Sequence, residues 1–148
     1  MAHKTISDLM RVWTFVHEHT GVPLSSAMKC LGLERDGELV CGVLYDGWNG
    51  VNMWMHVAIA PGGMLTRQFV HYAFYYPFVE IGCKRLTGLV EANNLAARRF
   101  DEHLGFRVEA TLAGAASDGG DVLLYAMTRD ECRWLQPKHG TLQALQEG

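Results

Sequence analysis

The sequence predicts an α+β (mixed α/β) fold: a central, largely antiparallel mixed sheet of about six strands with helices on both faces. Three observations carry this. The apolar pattern alternates between helical and strand periods in the order helix, three strands, helix, strand, helix, two strands. Tight-turn sequences, Asp36-Gly37 and DGWNG at 46–50, join the first strands into a meander. At 148 residues, 49% hydrophobic and 20% charged, the chain suits one domain with a single core.

Residues 6–20 form the first predicted helix. Ile6, Leu9, Met10, Trp13 and Val16 make one apolar stripe, Thr5 or Ser7 caps the start, and Gly21 with Pro23 stops it. Met28 to Arg35 and Glu38 to Tyr45 read as a hairpin. VNMWMHVAI at 51–59 is apolar almost throughout, as a central strand should be. APGG at 60–63 breaks it. A long helix is expected from Met64 to Ile81, with Phe69, Tyr72, Ala73, Tyr76 and Val79 as its apolar side and Pro77 kinking or shortening its last turns. Lys84 to Ala92 is a strand, and about 94–104 a helix closed by Gly105. Phe106 to Leu112 and Asp121 to Thr128 are the last strands, flanking the loop GAASDGG at 114–120. The polar tail from Trp134 is expected to be mobile.

Composition excludes several functions. The net charge is −3, so no basic surplus points to nucleic acid. No apolar run is long enough to span a membrane. The opening MAHKTISDLMRVWTFV carries Asp8 and Arg11 in its apolar stretch, which is unlike a signal peptide. The cysteines at 30, 41, 83 and 132 lack C-x-x-C spacing and read as reduced thiols of a cytoplasmic protein. The seven histidines are scattered, and no metal is expected.

The stretch NNLAARRFDEHLGF at 93–106 is the most specific feature. Asn94 is followed by Ala97, Phe100, Gly105 and Phe106, three, six, eleven and twelve places on. With the preceding RLTGLVEA, this resembles the GNAT family of acyl-CoA-dependent N-acetyltransferases over residues 28–128. HYAFYYPFVEIGCKRLTG looks like the long helix and following strand of the branch that acetylates protein N-termini. DVLLYAMTRDECRW resembles the family's closing strand, and there is a likeness to short members encoded by bacteriophages and prophages.

The resemblance implies acetyl-CoA as co-substrate, no metal, and an amine acceptor: a protein N-terminus, a lysine or a small amine. It implies that the strands near 51–59 and 84–92 splay. Backbone at Val57, Ala58 and Ile59 would then meet the pantetheine arm. Gly62, Gly63, Thr66 and Arg67 would receive the pyrophosphate at a helix start. Asn94, Ala97 and Phe100 would line the cofactor arm. His56, Glu91 and Tyr125 are the candidate catalytic groups. Trp48, Asn49 and Trp54 would form the acceptor wall, although exposed tryptophan equally suits a homodimer contact.

Two departures from the family pattern stand out. Its phosphate loop, Arg/Gln-x-x-Gly-x-Gly/Ala, falls here on Met64, Arg67 and Phe69, without the glycines. Asp101 stands where many members carry a tyrosine that acts as general acid toward the CoA thiolate. Each candidate also has a plain structural role. Asn94 is a good N-cap, Gly105 a C-cap, Phe100 and Phe106 core residues, and a histidine in an apolar strand is often a satisfied core residue. The alternative function is a catalytically silent protein-binding module on the same fold.

Overall fold

The computed structural model describes residues 2–135. The strands are β1 (His3–Ile6), β2 (Lys29–Arg35), β3 (Glu38–Asp46), β4 (Asn52–Ile59), β5 (Arg85–Glu91), β6 (Arg107–Leu112) and β7 (Val122–Thr128). The helices are α1 (Leu9–Thr20), α2 (Arg67–Tyr75) and α3 (Leu95–Leu104). The seven strands form one sheet in the order β1-β2-β3-β4-β5-β7-β6. Every neighbouring pair is antiparallel except β4 and β5. α1 covers one face over Leu44 and Ala58, while α2 lies in the larger core of the other face. The predicted α+β sandwich of helices on a mixed sheet is therefore the observed fold.

Four local expectations are corrected. There are seven strands, not six: β1 pairs with β2 from His3·Arg35 to Ile6·Gly32. HKTI has one half-buried apolar residue and no alternation, so its strand state comes from the free edge of β2. α1 consequently starts later, at Leu9, with Asp8 as cap accepting from the Arg11 N–H. Its buried stripe turns on Val12 and Val16, and Met10 is 54% exposed.

The expected long helix divides into two pieces. Thr66 caps α2 by accepting from the Phe69 N–H at 3.0 Å, so the helix does not start at Met64. After Tyr75 the chain widens into a π-helical turn, Tyr76–Ile81, with Pro77 near its start. Pro77 has no N–H to give, and its carbonyl instead accepts from Gly82 and Cys83. Phe74 and Phe78 are buried there, whereas Val79 points outward.

The start of the expected mobile tail is packed. Trp134 and Leu135 sit in a 3₁₀ turn against the main core. The Trp134 indole donates to the Leu104 carbonyl at 2.7 Å, and its own carbonyl accepts from His71 Nδ1. Residues 136–148 of that tail lie outside the described residues.

Two glycines set the height at which α1 sits on the sheet. Gly32 and Gly42 are register partners on β2 and β3. A Cβ on Gly42 would lie 2.8 Å from Val16 Cγ2, and one on Gly32 would lie 2.8 Å from Val12 Cγ2. The paired glycines are thus a floor on which the β-branched residues of α1 rest. Gly42→Ala should destabilise the fold by about 1–3 kcal/mol through overpacking, since a valine on a helix has no rotamer to retreat into. Chemical denaturation of the two proteins measures this, and an unchanged midpoint would contradict the floor.

Candidate functional site

The site begins where sheet pairing stops. β4 and β5 pair at Asn52·Arg85, Met53·Leu86 and Trp54·Thr87 only. The closed end is pinned by side chains. Buried Thr87 donates its hydroxyl to Asn52 Oδ1 at 2.6 Å and accepts from Arg85 Nε at 3.0 Å. Arg85 then forks onto both carboxylate oxygens of Glu109, at 2.8 and 2.7 Å. Past this pin, β4 continues along β3 to Ile59 and β5 along β7 to Glu91. The two halves of the sheet separate, and a cleft of about 880 Å³ opens between them.

The cleft has a free peptide edge. The Ala60 N–H donates to the Val40 carbonyl at 2.8 Å, and Ala58 pairs with Gly42. Alternate residues of an antiparallel strand face its neighbour. The even-numbered residues of β4 therefore bond β3, and the Met55 carbonyl and the peptide groups of Val57 and Ile59, past the last pair with β5, point into the gap. Gly88 on β5 approaches the Met55 carbonyl so closely that a Cβ would stand 3.3 Å from it. Of the predicted backbone contacts, Val57 and Ile59 fit this edge. Ala58 also lines the cleft, but its peptide pairs with β3 and its side chain is buried beneath α1.

α3 supplies a second wall through Asn94, Ala97, Phe100 and Asp101. Asn94 is the N-cap, its Oδ1 accepting from the Ala97 N–H at 3.1 Å. Its amide NH₂ has no partner among the described residues. Gly105 ends the helix at φ +112°, donating to the carbonyls of Asp101 and Glu102. Phe106 is buried, while Phe100 is half-buried along the cleft.

The titratable groups lining the cleft are His19, His56, Glu91 and Asp101. His56 lies diagonally across from Asp46 on the β3–β4 hairpin, and its Nε2–H donates to Asp46 Oδ1 at 3.0 Å. Asp46 Oδ2 accepts from Ser25 at 3.2 Å. The imidazole is thus oriented by a carboxylate, which leaves the Nδ1 lone pair unused. Glu91 is engaged elsewhere: both its oxygens accept from the Ser117 hydroxyl, at 2.7 and 2.9 Å. Asn93 donates to Asp118 at 2.7 Å, so the 114–120 loop is tied to the rim of the cleft. Asp101 has no hydrogen-bond or ion partner for its side chain among the described residues. Burial, and then the neighbouring Glu102 charge, push its carboxyl up to about 7.

Other predicted groups lie outside the cleft. Tyr125 is fully buried in the core, and its hydroxyl donates to Glu102 at 2.6 Å. Burial and that hydrogen bond raise the phenol above its ordinary value. Gly62, Gly63, Thr66 and Arg67 do not line the cleft; they follow its Ile59 end. A Cβ on Gly63 would meet the carbonyl oxygens of Ala60 and Val40 at 2.9 and 3.0 Å, so its lack of a side chain serves the turn. The Thr66 hydroxyl oxygen is occupied as the α2 cap, and Arg67 is exposed as the first residue of that helix. Trp48, Asn49 and Trp54 also lie off the cleft lining. Asn49 Oδ1 accepts from Val51 and Asn52 within the turn, and Trp54 packs against Gly47.

Sequence reasoning missed Asp46, which becomes a partner of His56 only through the hairpin register. Asp101 stood out in the sequence only as a departure from the family pattern; its place on the cleft follows from the helix face that positions 94, 97 and 101 share. Among the described residues no cluster of three His, Cys, Asp or Glu could hold a metal. All four cysteines are free thiols. No described helix is long and apolar enough to cross a membrane.

No family model matches the chain, and no curated protein matches it. Solved structures do. Spermidine N-acetyltransferase SpeG from Vibrio cholerae superimposes with a TM-score of 0.70 at 14% identity, covering 92% of this chain and 98% of that one. A GNAT-family acetyltransferase from Bacillus anthracis gives 0.57 at 19% identity, covering 69% and 67%. RimJ from Mycobacterium smegmatis, solved with CoA-disulfide, gives 0.55 at 24% identity, covering 70% and 54%. These likenesses establish the GNAT acyl-CoA N-acyltransferase fold.

The raised Asp101 carboxyl has a consequence for stability. A buried acid binds its proton more tightly folded than unfolded, so stability falls as pH climbs from the unfolded carboxylate range, about 4, through about 7. Asp101→Asn removes that slope. The variant should melt higher than the wild type at pH 8 and gain least near pH 4. Parallel melting curves across this window test it, and a pH-independent difference would contradict the desolvated acid.

Proposed function

We propose that the chain is an acetyl-CoA-dependent N-acetyltransferase in which a primary amine attacks the thioester carbonyl directly. The observation that carries this reading is the split of β4 from β5, which leaves the Met55 carbonyl and the peptide groups of Val57 and Ile59 facing a cleft with no strand to pair with. A pantetheine arm, with its two amides, is a chemical substitute for that missing strand. Such a cofactor would run between β4 and the start of α3, where the Asn94 NH₂ is free to donate and Ala97 allows close approach. Its phosphates would emerge past Ile59 toward Gly62, Gly63, Thr66 and Arg67, at the N-terminus of α2.

Direct transfer is supported by what lines the cleft. Among the described residues that line it there is no cysteine or serine, and the one hydroxyl, Thr20, donates to the Val16 carbonyl at 2.9 Å. His56, held by Asp46, is positioned to take the ammonium proton. Glu91, committed to Ser117, is the weaker candidate. A β4 peptide N–H would stabilise the oxyanion, and most of the rate gain would come from holding the two substrates together. The acceptor is a primary amine: SpeG is a spermidine N-acetyltransferase, and the sequence resemblance adds protein N-termini.

Acetyl-CoA at a hundred times its Kd should stabilise the protein by about 2.7 kcal/mol and raise its melting temperature accordingly. Thiol release should follow on adding spermidine, lysine or a peptide with a free N-terminus. No shift and no calorimetric heat would leave the protein-binding alternative, which the absent phosphate-loop glycines favour. Asn94→Asp separates the cap from the cofactor contact. It should keep stability within about 1 kcal/mol, because the capping oxygen remains. It should weaken acetyl-CoA binding by about tenfold, since it removes a donor and places a charge beside a polyanion. His56→Gln should lower kcat by a factor of about 10² or more while leaving acetyl-CoA affinity intact.

A further inference from the structure

The cleft passes through the sheet, and its two mouths differ. On one side, Met53 and Met55 of β4 and Leu86 and Val90 of β5 belong to the main core, with Ala97 and Phe100 of α3 packed against it. Side chains alternate along a strand. His56 and Leu89 therefore face the other side, where Ala58 meets α1. Both stand two residues past the last β4–β5 pair, Trp54·Thr87, so the gap lies between them. α1 packs on β2, β3 and β4, and the residues that follow it, Val22 and Pro23, line the cleft at this mouth.

Beyond Leu89 the same face of the sheet is open. Leu89 pairs with Leu124 on β7, and Leu124 with Ala110 on β6. In the next row Glu91 pairs with Val122, and Val122 with Leu112. Cross-strand partners share a face, so these residues form one shelf that starts at the cleft. Leu89 is 47% and Leu112 39% exposed, while Leu124, Val122 and Ala110 are half-buried. The shelf crosses two strand spacings, about 10 Å. Charges border it and are engaged: Arg85 and Arg107 bind Glu109 at one end, and Glu91 binds Ser117 at the other. Between them the shelf has no polar side chain. Across the mouth, Val22 and Pro23 make a second apolar wall. It is held in place because the Val22 carbonyl accepts from the Trp13 indole at 3.2 Å and from His17 Nδ1 at 2.9 Å.

We propose that this shelf is the acceptor half of the site and that it selects a small primary amine carried on a hydrocarbon stem; this rests on the acetyl-transfer reading and narrows its acceptor. The amine enters beside His56. Its stem leaves between Leu89 and Pro23 and lies over Leu124 and Ala110. The nitrogen bonds the acetyl carbon and loses one proton, the C–S pair goes to sulfur, and the thiol takes up one proton, so no further reactant is needed. The shelf is what discriminates. β7 is paired on both sides, so its main chain offers a ligand neither donor nor acceptor. A polyamine would lay its further ammonium groups on leucine, and a peptide its amides. Each would lose hydrogen bonds to water with nothing in exchange. A hydrocarbon stem has none to lose, and it takes two apolar walls out of water.

The test follows thiol release from acetyl-CoA by the full chain, with propylamine, hexylamine, spermidine and a peptide with a free N-terminus as acceptors. Hexylamine should exceed propylamine in kcat/KM by about tenfold or more, the scale of added methylenes in an apolar site, and should exceed spermidine and the peptide. Leu89→Ser should bring the hexylamine-to-propylamine ratio toward one, with acetyl-CoA Kd within twofold. Leu112→Ser, at the far end, should lower the ratio less. Leucine-methyl carbon-13 NMR of the wild type should show the Leu89 and Leu124 signals moving with hexylamine and not with spermidine. Equal rates for the two alkylamines, a preference for spermidine, or leucine signals that hexylamine leaves in place would overturn the shelf while acetyl transfer stands. A preference for the peptide would give the acceptor site to polypeptides and overturn the hydrocarbon stem. A dimer at assay concentration that Leu112→Ser dissociates would give the shelf to a second copy of the chain, with the same result. A wild-type protein that binds no acetyl-CoA would overturn the transfer reading and this acceptor with it.

Discussion

The three-residue parallel pairing between β4 and β5 is the constraint on which the rest depends. A sheet ordinarily satisfies every peptide group by pairing, and an unpaired edge inside a domain is costly. Here each half of the sheet is complete on its outer side, β4 on β3 and β5 on β7. The contact between the halves is fixed by the Asn52–Thr87–Arg85–Glu109 chain at one end only. The free edge faces an open cleft and not packed protein. An edge of this kind has the donors and acceptors that a ligand with amides could pair with.

Everything that borders the cleft is held by interactions outside it. α1 sits low on the Gly32–Gly42 floor, which brings residues 19–23 to one mouth. α3 is capped at Asn94, closed at Gly105, and tied from behind by Tyr125–Glu102. A charged network on the far rim, Arg85–Glu109–Arg107–Glu131, joins β5, β6 and the turn after β7. It holds the Glu131 carboxyl down to about 2, chiefly through the Arg107 hydrogen bond. Inside the cleft, by contrast, few polar groups satisfy one another. Among the described residues, the Asn94 amide, the His56 Nδ1 and the Asp101 carboxyl have no hydrogen-bond partner, and unpartnered polar groups in a cleft call for an explanation.

The segment that was most specific in sequence is the one whose structural and functional readings coincide. Asn94 has two ends: the oxygen caps the helix and the nitrogen faces the cleft, so neither reading excludes the other. The opposite happened at Tyr125. Its position on the last strand suggested a catalytic role, yet strand parity turns it into the core, where its hydroxyl donates to Glu102. Glu91 is on the cleft but answers to Ser117, a residue 26 positions away that no local pattern could supply.

The sequence by itself determined the element order, the turns, the helix caps at Asn94 and Gly105, and the fold class, because these depend on local periodicity and on backbone preferences of a few residues. It also determined that β4 is central, since an apolar run must be covered on both faces. Tertiary structure decided the rest. It made HKTI a strand by offering it an edge, moved the start of α1 to Asp8, and turned the end of α2 into a π turn around Pro77. It set which β4 peptides face the gap, brought Asp46 to His56, and placed Asp101 half-buried on the cleft wall. Those outcomes depend on register and burial, which arise from contacts between distant segments and have no counterpart in any short stretch of the chain.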